Sequence, residues 1–134
     1  MTLLNTEDII PEIVKRTMHD GGTTIDPQSF AFVEPKDLWY YPKYPSLTQI
    51  VDVTELPVAL GTFLKSNSNH LQEKNIVLGT WLHPHSGKVY IDINTYSKDE
   101  NIALEDAKRI SRYGGRQIVS MYNPLQNKTE YIVH

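Results

Sequence analysis

Ile76-Val77-Leu78-Gly79-Thr80-Trp81-Leu82 and Lys88-Val89-Tyr90-Ile91-Asp92-Ile93-Asn94-Thr95, separated by His83-Pro84-His85-Ser86-Gly87, decide the fold. Both flanks are rich in β-branched and aromatic residues. The five-residue connection has proline early and glycine late, as a hairpin loop requires. In the second flank Val89, Ile91 and Ile93 share one parity, while Tyr90 and Asp92 share the other and are expected to face solvent or a cleft. Trp81 has the parity of Val77 and Gly79 and is expected in the core.

Outward from this hairpin, Ser97 with Glu100 three residues on reads as a capping box and predicts a helix over residues 98–113. Ala103, Leu104, Ala107 and Ile110 form its apolar stripe, and Glu105, Lys108, Arg109 and Arg112 its opposite face. Gly114-Gly115 stops it. Residues 116–122 and 128–133 then make a second hairpin turning through 123–127, so the second half reads ββαββ. Near the start, Ile10, Ile13, Val14, Thr17 and Met18 recur at helical spacing, which predicts a helix over 8–20 with Asp8 as its cap and Pro11 in its first turn. Short strands are expected at 23–26 and 30–33, a strand at 47–53, and a helix from Thr54 to about Lys65. Between them, Pro35, Pro42 and Pro45 stand among Trp39, Tyr40, Tyr41 and Tyr44, and prolines at that density predict a loop that is neither helix nor central strand. The fold class is therefore α+β, an antiparallel sheet with helices packed on one face. With no linker in view, residues 1–134 read as a single domain.

Composition bounds the function. The chain has 134 residues, is 40% hydrophobic and 22% charged, and carries a net charge of −3, which gives no general attraction to a polyanion. It has no cysteine, which excludes disulfides, thiolate metal sites and a cysteine nucleophile. The first 20 residues hold Glu7, Asp8, Glu12, Lys15 and Arg16 and no long apolar run, so neither a signal peptide nor a membrane span is expected and the compartment is read as cytoplasmic. The sequon Asn127-Lys128-Thr129 is read as chance in that compartment. No phosphate-cradling glycine loop, dinucleotide fingerprint or nucleophile elbow occurs, so no cofactor is expected.

His19-Asp20-Gly21-Gly22-Thr23-Thr24-Ile25-Asp26, then Leu78-Gly79-Thr80-Trp81 and Ser86-Gly87-Lys88-Val89-Tyr90-Ile91-Asp92, resemble a group of small uncharacterised bacterial and phage proteins. The resemblance runs on through the alanine-bearing helix to Gln117 and the last hairpin, and leaves out the loop from Trp39 to Pro45. It implies an accessory protein of a phage or other mobile element, acting in the host cytoplasm. It brings no catalytic residues with it.

Several constellations invite chemistry. His83 and His85, two apart, have the spacing of a metal pair, with Asp92 the nearest third ligand across the hairpin. A phosphodiester-cleaving enzyme resembling a small ribonuclease would take His83 or His85 as acid or base, with Arg112 or Arg116 holding phosphate and Lys88 and Arg109 nearby. Lys108, Arg109, Arg112 and Arg116 are the one cationic cluster of an acidic chain, a local basic patch for phosphate, nucleic acid or an acidic partner. The alternative for each is a solvated loop or helix face. Trp39, Tyr40, Tyr41 and Tyr44 either present an interface or plug the end of the sheet.

The leading expectation is a non-enzymatic accessory or inhibitory protein that binds a protein partner through Trp39, Tyr40, Tyr41 and Tyr44 or through Arg109 and Arg112. The alternatives are the phosphodiesterase and a metal- or ligand-binding regulatory domain. A strand at 128–133 leaves the oligomeric state open.

Overall fold

The computed structural model describes residues 6–134, and side chains from Asp8 onward. In chain order the elements are α1 (Thr6–Asp20), β1 (Gly22–Ile25), β2 (Trp39–Pro42), β3 (Gln49–Val51), α2 (Leu56–Ser66), β4 (Val77–Leu82), β5 (Val89–Ser97), α3 (Glu100–Tyr113), β6 (Ser120–Asn123) and β7 (Lys128–Tyr131). The class is α+β: among the described residues, three α-helices pack on strands paired antiparallel, and the ββαββ order runs from β4 to β7. No described helix is long and apolar enough to cross a membrane.

Two compact units divide the chain. One joins the residues up to Val33 to Gln49–Ile91, the other joins Glu34–Thr48 to Asp92–His134, and β5 contributes its first three residues to one and the remainder to the other.

In the first unit β1 pairs with β4, β4 with β5, and β3 with β5. Helix α1 lies on β1, β4 and α2, with Ile9 and Ile13 buried and the Thr17 hydroxyl 2.6 Å from that of Thr80. Each fully buried Ile or Leu here contributes about 1.5–3 kcal/mol. The helix begins before Asp8, so Asp8 is not its cap; its carboxylate lies in the first turn, where the helix dipole favours it, and Pro11 falls farther inside than expected. Gly22 opens β1 opposite Trp81, and an added Cβ there would stand 2.5 Å from the Thr80 carbonyl oxygen. Only glycine lets β1 approach β4 this closely.

The β4–β5 turn is one residue tighter than the sequence suggests. The His83 N–H donates to the Lys88 carbonyl at 2.8 Å, so these two residues pair and the loop is Pro84-His85-Ser86-Gly87. Shifting the register by one puts Trp81 opposite Tyr90 instead of beside the apolar Val89. Trp81 is accordingly half-buried rather than core, and the helix-covered face of β4 carries Leu78 and Thr80.

In the second unit β5 pairs with β2, β2 with β6, and β6 with β7. The expected loop is thus a strand with neighbours on both sides. Its proline explains why: Lys43 N–H donates to Ile93 O at 2.9 Å, so in this register Pro42 occupies a non-hydrogen-bonded position toward β5 and its missing donor costs no bond there. Trp39 and Tyr41 face α3 and join Ala103, Ala107, Ile118, Met121 and Ile132 in one buried cluster, with Leu104 and Ile110 packed against it. Residues 116–119 are not strand; the Ile118 N–H is taken by Ser111 Oγ at 2.9 Å, and β6 starts at Ser120. Gly114 lies so close to Pro45 that a Cβ would meet its ring at 2.8 Å.

The cap of α3 is Asp99, not Ser97. Its carboxylate accepts the Ile102 N–H at 3.0 Å, and Ser97 Oγ accepts the Asp99 N–H one step upstream. Asp99→Ala is expected to lower stability by about 1 kcal/mol in urea denaturation, and Ser97→Ala by less. A larger loss from Ser97→Ala would return the capping role to Ser97.

Candidate functional site

The hairpin of the first unit carries a cluster of rings on the strand face opposite Leu78 and Thr80. Trp81 lies 4.8 Å from His83 and 5.4 Å from Tyr90 between ring centroids, His83 stacks on Tyr90 at 5.7 Å, and His85 meets His83 edge-on at 5.6 Å. Ile50 stands opposite Tyr90 on β3 and extends the surface. Trp81, His83 and Tyr90 are half-buried, while His85 and Ile50 are exposed. The exposed Lys88 and Asp52 pair at 3.0 Å.

His83 is fixed by its own turn. Its Nδ1 accepts the backbone N–H of His85 at 3.1 Å and of Ser86 at 3.3 Å, which places the ring proton on Nε2 in the neutral form. A metal at Nε2 would require that proton to move to Nδ1, at the cost of both backbone bonds. Among the described residues no group of three or more metal-ligating side chains comes together, so His83, His85 and Asp92 do not assemble into a metal centre.

The second unit carries a buried carboxylate. Asp92, Asn94 and Tyr96 alternate on the face of β5 turned away from α3, with Tyr40 of β2 opposite Tyr96 and Tyr122 of β6 opposite Tyr40. Tyr40 and Tyr96 meet edge-to-face at 5.7 Å. Asp92 is only 8% exposed and accepts one hydrogen bond, from Thr48 Oγ1 at 2.6 Å. Burial raises its pKa to about 6, against the lowering effects of the Thr48 bond and the Arg116 charge. Two residues on, Asn94 Oδ1 is buried with no hydrogen-bond partner among the described residues. The expectation that Asp92 faces solvent or a cleft fails because the Thr48 segment, remote in sequence, reaches it.

The residues expected to bind a partner are divided by the structure. Trp39, Tyr40 and Tyr41 are between 2% and 5% exposed, as residues of the strand β2 and not of a loop that presents an interface or plugs the end of the sheet, and Tyr44 is half-buried with Lys43 Nζ 5.4 Å from its ring centroid. The Tyr41 hydroxyl donates to Asp106 at 2.7 Å; burial first, and that bond next, hold its proton on. Arg109 pairs with the same Asp106, whereas Lys108 and Arg112 make no ion pair among the described residues. Of the residues suggested for phosphodiester cleavage, His83 and His85 belong to the first unit and Arg112 and Arg116 to the second. Sequence reasoning did not single out Thr48 or Asn94; the one available signal was that Asn94 shares the parity of Asp92.

Comparison with known family models, curated proteins and solved structures finds no match.

Asp92 yields a test of its burial. Its folded pKa lies above the unfolded value of 3.8, so its contribution to stability is fully present below about pH 4 and is lost as the pH rises through about 6. Above that range the ionised side chain costs about 3 kcal/mol. Asp92→Asn is expected to raise the denaturation midpoint near pH 8 and to change it little near pH 4. Equal differences at both pH values would remove the buried-charge account.

Proposed function

We propose that this chain is a non-enzymatic binding protein that engages a protein partner through the ring cluster of the β4–β5 hairpin. The observation that carries the reading is that Trp81, His83, Tyr90 and His85 form one contiguous, part-exposed ring surface, held in shape by two backbone hydrogen bonds to His83. Aromatic side chains bury large areas on binding at little entropic cost, and pre-organisation lowers that cost further. The surface differs from the one expected from the sequence, because Trp39, Tyr40 and Tyr41 are buried in β2. The exposed cations Arg109 and Arg112 of α3 remain a subsidiary contact surface.

An accessory or inhibitory role in a phage or mobile element, as the resemblance implies, is the context of this reading. An inhibitor works by occupying a partner's surface and requires no catalytic set of its own. The phosphodiesterase alternative draws on residues that no single unit supplies.

Trp81→Ala with Tyr90→Ala tests the reading. Both positions are half-buried, so the double variant is expected to keep its circular dichroism spectrum while its affinity for a protein captured by the wild-type chain from a host lysate falls by at least about tenfold, ~1.4 kcal/mol. Arg109→Ala with Arg112→Ala is expected to fall by less. Capture of the same partners at the same yield by a folded Trp81/Tyr90 variant would exclude the hairpin as the contact surface.

A further inference from the structure

The turn at residues 26–31 holds Phe30 at φ +59°, a left-handed conformation that costs a bulky side chain energy. The turn is heavily secured. Asp26 Oδ1 accepts the Gln28 N–H at 2.9 Å, Asp26 O accepts the Phe30 N–H at 2.8 Å, and Ala31 O accepts the Asp26 N–H at 2.8 Å. Gln28 Nε2 also reaches the Gln72 carbonyl at 3.3 Å. These bonds hold Phe30 at the side of a groove of about 440 Å³ within the first unit, in the size range of small-molecule sites.

The lining is chemically one-sided. Pro27, Phe30, Leu64 and Leu71 supply apolar walls, and Lys65, Ser68 and Gln72 supply the polar groups. No carboxylate lines the groove, and Lys65, exposed in the last turn of α2, makes no ion pair among the described residues. A ligand that complements this surface has an apolar body and a single negative charge.

We propose that the groove between the 26–31 turn and the end of α2 binds a small amphipathic carboxylate. Its hydrocarbon or aryl part lies against Phe30, Leu64 and Leu71. Its carboxylate meets Lys65, with Ser68 and Gln72 as hydrogen-bond donors. The strained Phe30 is the side chain kept for this contact, and the site is separate from the hairpin ring surface in both residues and chemistry.

Octanoate is the probe, with octanol as its uncharged counterpart. Titration into the full-length, isotope-labelled protein is expected to shift amide resonances at Phe30 and over residues 64–72, with octanol at least about tenfold weaker. Lys65→Glu, at an exposed position, is expected to weaken octanoate by at least about tenfold while leaving octanol unchanged. Phe30→Gly removes the conformational strain and is expected to lose both ligands while the melting temperature holds. Absence of shifts at millimolar octanoate, shifts confined elsewhere, or equal binding by wild type and Lys65→Glu would each overturn the proposal. Should Phe30→Gly fail to fold, the Lys65→Glu and octanol comparisons decide it alone.

Discussion

The strict alternation of β5 is the constraint on which the remaining structure rests. Val89, Ile91 and Ile93 are at most 1% exposed, and between them the same strand presents Tyr90, Asp92, Asn94 and Tyr96 to its other side. A slip of one residue would drive a carboxylate and an amide among the apolar side chains and expel three aliphatic ones, a change of many kcal/mol. Register is therefore over-determined, by β3 and β4 at one end of the strand and by β2 at the other. Because the apolar positions are committed, the polar and aromatic positions between them are free to carry chemistry.

What the chain places at those positions runs against stability. An Asp accepting one hydrogen bond in a buried setting, and an Asn oxygen without a partner two residues on, are the kind of groups that packing alone would replace with Leu or Val. Phe30 in a left-handed conformation belongs with them. Elsewhere the polar groups are well provided for: Asp37 accepts from both Asn123 and Gln126 and is held below the usual carboxylate range by those bonds, and the Ser111 hydroxyl donates to one carbonyl and accepts one amide. Among the described residues the exceptions are therefore few, two on β5 and one in the 26–31 turn.

The helices and hairpins were legible because their signals are short-range. The period-two run from Val89, the apolar stripe of α3 and the glycine pairs that end α1 and α3 need no knowledge of distant residues. Where sequence and structure differ, the deciding contact is long-range. Parity with Val77 and Gly79 points Trp81 to the core, but the face that parity selects depends on the register with β5, which a turn one residue shorter inverts. Segment 39–42 reads as a loop because Pro42 has the look of a breaker, and only its position opposite Asn94 in the sheet makes it compatible with a strand. Asp92 looked outward because Thr48, 44 residues away, supplies the hydrogen bond that comes with its burial. Of the candidate sites, the paired histidines were visible, but the bonds that fix His83 depend on turn geometry that spacing does not reveal.

The two units are interleaved along the chain, the first needing residues up to Val33 and Gln49–Ile91, the second Glu34–Thr48 and Asp92–His134. During synthesis from the amino end, the segment bearing Trp39, Tyr40 and Tyr41 emerges early and must wait for α3, β6 and the far half of β5 before it is covered. For that interval the nascent polypeptide exposes its most aromatic stretch to the translating cell. Pro35, Pro42 and Pro45 lack the backbone donor that intermolecular strand pairing needs, which makes such a stretch a poorer template for aggregation while it is uncovered. The same interleaving means that a break in the chain at any single point between residues 34 and 134 separates parts of at least one unit.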